Sequence, residues 1–188
     1  MSDSGPNSKQ RDAETSDASS DQAAIDPADV CRRLIESTYS LQLATLGGDG
    51  VPHCGYTPFI TGRGDDGKTM CLYIFVSELA VHTRDLLANH QVSAMIIEDE
   101  QTASQVFART RVTYECDVVT LARDHADWSH HLDAYRQRHG KVVDLLRELP
   151  DFHLMRLQPR QGNFVMGFGR AYRLSGARLD TFEHIRRA

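Results

Sequence analysis

Ser77, His82 and Arg84 stand directly after an apolar run, residues 70–76 (MCLYIFV). A helix that starts where a buried strand ends presents free backbone N–H groups and the positive end of its dipole. That is a site for a phosphate or a propionate. His82 and Arg84 fall in the first two turns and can complete it; the plain alternative is that both are solvated helix residues. Arg109 and Arg111 share one face of a strand by period two. Facing an interface, they attract ligand carboxylates or a phosphate; facing water, they are a row of solvent charges. His53 reads as a structural residue of its strand. Asp127 and His131, spaced i,i+4, have the spacing to share a metal, but with His125 and His130 they are read as a solvated helix face.

Several elements must position these groups. The run at 70–76 has the composition of a buried strand. Ser77 offers an N-cap oxygen and Glu78 a first-turn charge to a helix over 78–88. Leu79, Leu86 and Leu87 form its inner face, Asn89 ends it, and residues 91–97 return to the sheet. Upstream, Asp26-Pro27 opens a helix as N-cap and first residue, with Val30, Leu34, Ile35 and Tyr39 facing inward. Residues 40–46 (SLQLATL) alternate as a strand does, and Gly47-Gly48-Asp49-Gly50 makes a tight turn. A second strand spans about 53–61, where Pro52 and Pro58 point to an edge or a bulge.

Downstream, a helical turn is expected at 103–107, then the longest strand at 109–121. Helices are expected at 124–138 and 141–149. Strands follow at 152–157 and 163–172, joined by Pro159-Arg-Gln-Gly162, and a short polar tail from Leu179 contains His184. The sum is a mainly β fold with peripheral helices: six or seven strands, mostly linked by hairpins, in a small antiparallel barrel with the helices packed outside. Residues 1–24, rich in Ser, Asp, Gln and Ala, cannot bury enough apolar surface to order and read as a disordered tail. Residues 25–188 form one domain.

The 188 residues are 40% hydrophobic and 25% charged, as in soluble globular chains. A net charge of −5 gives no basic field to recommend nucleic acid as a partner. No apolar run approaches a membrane span, and the polar N-terminus lacks a secretory h-region. Cys31, Cys54, Cys71 and Cys116 form no C-x-x-C pair; they read as reduced, mostly buried thiols of a cytoplasmic protein, with no zinc site.

Residues 43–59 (LATLGGDGVPHCGYTPF), then Ser77, His82, Arg84, Leu86, Asn89 and Val92, resemble the flavin-binding split-barrel proteins related to pyridoxamine 5′-phosphate oxidase. Residues 97–100 (IEDE), 107–109 (FAR), 151–159 (DFHLMRLQP) and 164–172 (FVMGFGRAY) resemble more narrowly the haem-utilisation proteins of the HugZ/HutZ type. The resemblance implies a homodimer with two equivalent sites at the subunit interface. Where the flavin oxidases hold FMN phosphate with an Arg-Lys pair, this chain has Val81 and His82, and only Arg84 remains. An apolar residue supplies no charge to a phosphate and leaves room for a larger apolar ligand.

In the haem-utilisation proteins a C-terminal histidine ligates iron and an aspartate of the other subunit supports it. Asp151 stands at that aspartate's position and is the candidate catalytic residue. The family's later Gly-His-Arg is absent before the chain ends at Ala188, so His184 is the candidate iron ligand, with Arg186 and Arg187 near the propionates. The alternative is a solvated tail residue. Three functions follow: a haem-binding, haem-degrading protein of iron utilisation; an FMN-dependent oxidoreductase in which Ser77, Arg84 and Arg111 hold the flavin; or a non-catalytic haem carrier.

Overall fold

The computed structural model describes residues 25–186; the expected disorder of 1–24, and Arg187, lie outside the described residues. Helix α1 (Pro27–Ser37) starts as its sequence dictates: the Asp26 carboxylate accepts from the Ala28 N–H at 2.9 Å, and Pro27 takes the first helical position. Cys31 and Leu34 face the core, whereas Tyr39, expected on that face, lies past the helix end and is exposed.

Strand β1 (Ser40–Leu46) buries Leu41, Leu43 and Thr45, the alternation expected of it. It pairs with β2 (Pro52–Pro58) across the Gly-rich turn. The expected single strand at 53–61 is instead two. The chain breaks at buried Phe59, directly after Pro58, and continues as β3 (Ile60–Arg63). β3 pairs with β4 (Met70–Ser77), at the opposite edge of the sheet. The order is β2-β1-β5-β6-β7-β4-β3, with β5 (Gln91–Ile97), β6 (Arg111–Leu121) and β7 (Phe152–Val165) between. The two edge strands are thus joined through one residue. This forces the open antiparallel sheet to curl back on itself, which is what a split barrel is.

Among the described residues nine strands form, not six or seven. One extra comes from the break at Phe59. Another, β9 (Thr181–His184), lies in the expected polar tail and pairs with β8 (Ala171–Ser175). The separate strands expected at 152–157 and 163–172 are mostly one: β7 runs through Pro159 without a turn. Pro159 has no N–H to give, but it lies where β4 has ended at Leu157 and β8 begins only opposite Gly162. Only β6 flanks it there, and the register shifts between Glu115 and Cys116 to admit one extra residue.

β4 is buried along nearly its whole length because both faces are covered. Leu72, Ile74 and Val76 enter the barrel core with α1 and β1. Cys71, Tyr73 and Phe75 meet Trp128, Leu132 and Tyr135 of α3 (Trp128–His139). α3 and α4 (Val142–Leu146) are shorter than expected, since 124–127 and 147–149 form turns. The helical turn expected at 103–107 is a single 3-10 turn at Val106–Ala108.

Gly162 sits opposite Tyr114 in the β6–β7 ladder, and a Cβ there would lie 2.9 Å from the buried Tyr114 ring. The ring occupies the space a side chain would need. Gly162→Ala is therefore expected to destabilise the fold by about 1–3 kcal/mol through overpacking, measured as a lower urea midpoint at unchanged slope.

Candidate functional site

The candidate residues fall into three groups, each placed by a different part of the sheet. The first is at the mouth of β4 and β7. The Ser77 hydroxyl donates to Asp151 Oδ2 at 2.6 Å and accepts from the Leu79 N–H at 3.1 Å. The Glu78 N–H donates to the Asp151 carbonyl at 2.9 Å. Beside them, His153 Nε2 lies 2.6 Å from Glu78 Oε1. Ser77 is therefore not the N-cap expected. Helix α2 (Val81–Ala88) begins three residues later than the sequence implies, with Ala80 at its cap and no capping side chain. Residues 77–80 are drawn into a turn by the two partners of Ser77, and Leu79, expected inside, is 87% exposed.

The second group rides on α2. Asp85, 7% exposed, accepts on one carboxylate oxygen from Thr45 Oγ1 at 2.6 Å and from His53 Nδ1 at 2.8 Å. An ionised carboxylate only accepts, so Nδ1 carries the proton. The Thr45 hydroxyl, with the His53 ring next, holds the Asp85 carboxyl below the usual carboxylate range. This pins α2 against β1 and β2. His82 then lies over Gly55, where a Cβ would come within 2.5 Å of its ring nitrogen Nδ1. Burial pushes the His82 imidazole down, toward the neutral form. Arg84 donates to the Glu78 carbonyl at 3.1 Å.

The third group is at the far end of β7. Arg109, just before β6, donates through Nε to the Glu98 carbonyl at 2.9 Å, with Nη2 also on that oxygen. It lines a groove of about 1000 Å³ between the end of α1, the start of β1 and residues 97–110. Among the described residues, the Arg111 guanidinium makes one hydrogen bond, to the Arg109 carbonyl at 3.0 Å. His184 is in β9 and exposed, its Nε2 3.1 Å from the Gly169 carbonyl. A carbonyl only accepts, so Nε2 is the N–H and Nδ1 keeps the lone pair.

Strand pairing says how these groups relate. Arg111 stands opposite Val165, and Val165 opposite Ala171. Val112, Phe164, Tyr172 and His184 form the neighbouring row. Arg111 and His184 thus share one end of the sheet but leave its opposite faces. Ser77 pairs with Phe152, at the other end of β7. Along the 14 residues of that strand the two ends are roughly 40 Å apart by strand path. One chain does not bring Asp151 to Arg111 or His184.

Asp85 and Thr45 were not legible as a site. An aspartate beside Leu86 in a short helix hints at a buried, partnered carboxylate, but its partners lie 40 and 32 residues away. The thiols behave as expected in three cases. Cys31, Cys71 and Cys116 are free and buried, and burial pushes Cys31 and Cys116 up to about 12; Cys54 is exposed.

An open antiparallel sheet curled through one linking residue, with helices outside, defines the split-barrel class. The profile of the family described as Pyridoxamine 5′-phosphate oxidase (PNPOx_N) matches residues 28–166. The chain is 42% identical over 146 residues to the haem oxygenase HutZ of Vibrio cholerae, covering 78% of this chain and 80% of that one. A crystal structure of Vibrio cholerae HutZ, described as a haem storage protein, aligns with a TM-score of 0.66 at 35% identity, covering 71% of this chain and 91% of that one. Campylobacter jejuni ChuZ aligns with a TM-score of 0.71 at 29% identity, covering 82% of this chain and 60% of that one. The chain belongs to the pyridoxamine 5′-phosphate oxidase family, and within it to the HutZ/HugZ type. Among the described residues no helix is long and apolar enough to cross a membrane.

Asp85→Ala leaves Thr45 and His53 without their acceptor and is expected to cost about 1–3 kcal/mol. Because the folded carboxyl titrates below its unfolded value, its stabilisation is present above the unfolded value near 4 and is lost as pH falls through the folded one. Urea midpoints of wild type and Asp85→Ala across that range should converge on acidification.

Proposed function

We propose that the protein binds haem between two copies of the chain and acts in haem utilisation. The placement of the candidate residues at opposite ends of β7 carries this reading. Asp151 with Ser77 is at one end, Arg111 and His184 at the other. A site that needs both must take one end from each of two chains, as the resemblance to the HugZ/HutZ proteins implies. The relatives named as a haem oxygenase and a haem storage protein support haem as the ligand.

The donor types fit the group, although Arg111 and His184 leave opposite faces of the sheet end. Arg111 offers a guanidinium to a propionate. His184 offers Nδ1, with Nε2 already held by a backbone carbonyl. Asp151, half-buried, offers a carboxylate to an imidazole N–H and so raises its basicity. Phe107, in the 3-10 turn before β6, and Phe168, in the β7–β8 connection, are 86% and 70% exposed at the Arg111 end and supply apolar surface for a planar ring. Bound haem would supply redox-active iron; the chain's own part is to orient the imidazole, pair the propionates and exclude water.

The second chain is expected on the outer sheet face. There Ala44, Cys54, Tyr56, Met95, Ile97 and Val165 stand on the side of their strands away from the barrel core. For the FMN reading, two of its three donors are engaged within the chain: Ser77 with Asp151, and Arg84 with Glu78.

Haem titration should give a saturable Soret band, and FMN should not saturate. Asp151→Ala and Arg111→Ala should each weaken haem binding about tenfold or more. Mixed after unfolding and refolding together, the two variants should recover wild-type affinity in part of the sites, because a hybrid dimer holds one unaltered site. No recovery on mixing would place both residues in a site built by one chain.

A further inference from the structure

The mouth of β4 and β7 holds a hydrogen-bond chain with a direction. The Leu79 N–H donates to Ser77 Oγ, and Ser77 Oγ–H donates to Asp151 Oδ2. A serine hydroxyl has a single proton, so this one is committed to the carboxylate. Around it, the Glu78 N–H holds the Asp151 carbonyl at 2.9 Å and Glu78 Oε1 meets His153 Nε2 at 2.6 Å. Backbone and side chain of residue 151 are therefore fixed by two successive residues of one turn. Among the described residues Asp151 Oδ1 accepts no hydrogen bond, and the side chain is half-buried.

We propose that Ser77 is the positioning residue for Asp151. It takes up Oδ2 and leaves Oδ1 as the one oxygen open to an N–H donor arriving from a second chain. Ser77 then acts on the ligand through Asp151 rather than by touching a cofactor phosphate. A carboxylate that must accept one proton at a set angle gains from losing its rotational freedom before the donor arrives. The inference rests on the reading that Asp151 supports a haem-ligating imidazole.

The test is the rate of haem loss from the full-length ferric complex, for wild type, Ser77→Ala, Ser77→Thr, Asp151→Ala and Ser77→Ala with Asp151→Ala. Asp151→Ala should speed haem loss about tenfold or more, and Ser77→Ala should do much the same. Ser77→Thr keeps the hydroxyl and should retain the wild-type rate. In the Asp151→Ala background, Ser77→Ala should add nothing. The iron–histidine stretching band of the ferrous complex should shift in Ser77→Ala and return in Ser77→Thr. If the alanine chain fails to fold, Ser77→Cys, a weak donor of similar volume, replaces it. A full additional effect of Ser77→Ala without Asp151, or none with Asp151 present, overturns the proposal while Asp151 keeps its role. Unchanged haem loss in Asp151→Ala removes the reading beneath it, and the proposal with it.

Discussion

The 14 residues of β7 carry hydrogen bonds to three neighbours, and the rest of the molecule follows from how they are shared. β6 lies along one edge for nearly the full length. The other edge belongs to β4 over the first residues and to β8 over the last. Between them is a gap of one neighbour, and that is where Pro159 and the register shift fall. A strand this long in a curled sheet separates its ends widely. Whatever stands at one end is denied to the other within the same chain. The separation of the candidate residues to two distant ends is thus a consequence of strand length, and in the proposed reading a second chain reunites them.

Much of this was legible in the sequence where one residue decides the local geometry. Asp26-Pro27 fixed the start of α1, the Gly47–Gly50 turn fixed the β1–β2 hairpin, and the alternation of Val112, Tyr114, Cys116 and Val118 set the inner face of β6. Local signals mislead where distant partners outweigh them. Ser77 and Glu78 look like the first residues of a helix, but their side chains turn to Asp151 and His153, more than 70 residues away, and the helix waits until Val81. Pro159 with Gly162 looks like a turn, yet a missing neighbour makes proline harmless there. The polar tail hid β9 because an edge strand with one partner needs little apolar content.

The site was legible in kind and not in arrangement. Arginines, a carboxylate and a histidine were visible as ligand chemistry, but their distribution over two ends and two faces of the sheet depends on register, which periodicity alone does not give. The buried Asp85 shows the complementary case. It binds no candidate ligand, yet it holds α2 on the sheet through Thr45 and His53 and so places His82 over Gly55. Asp85, buried, pins an element; Asp151, half-buried, is itself held by Ser77.

In the proposed function two chains build the haem site. Native mass spectrometry of the protein titrated with ferric haem tests it most directly. The expected result is a species of two chains carrying two haems, with haem lost from the spectrum as the dimer is dissociated at low concentration. A single chain that binds one haem with undiminished affinity would contradict it.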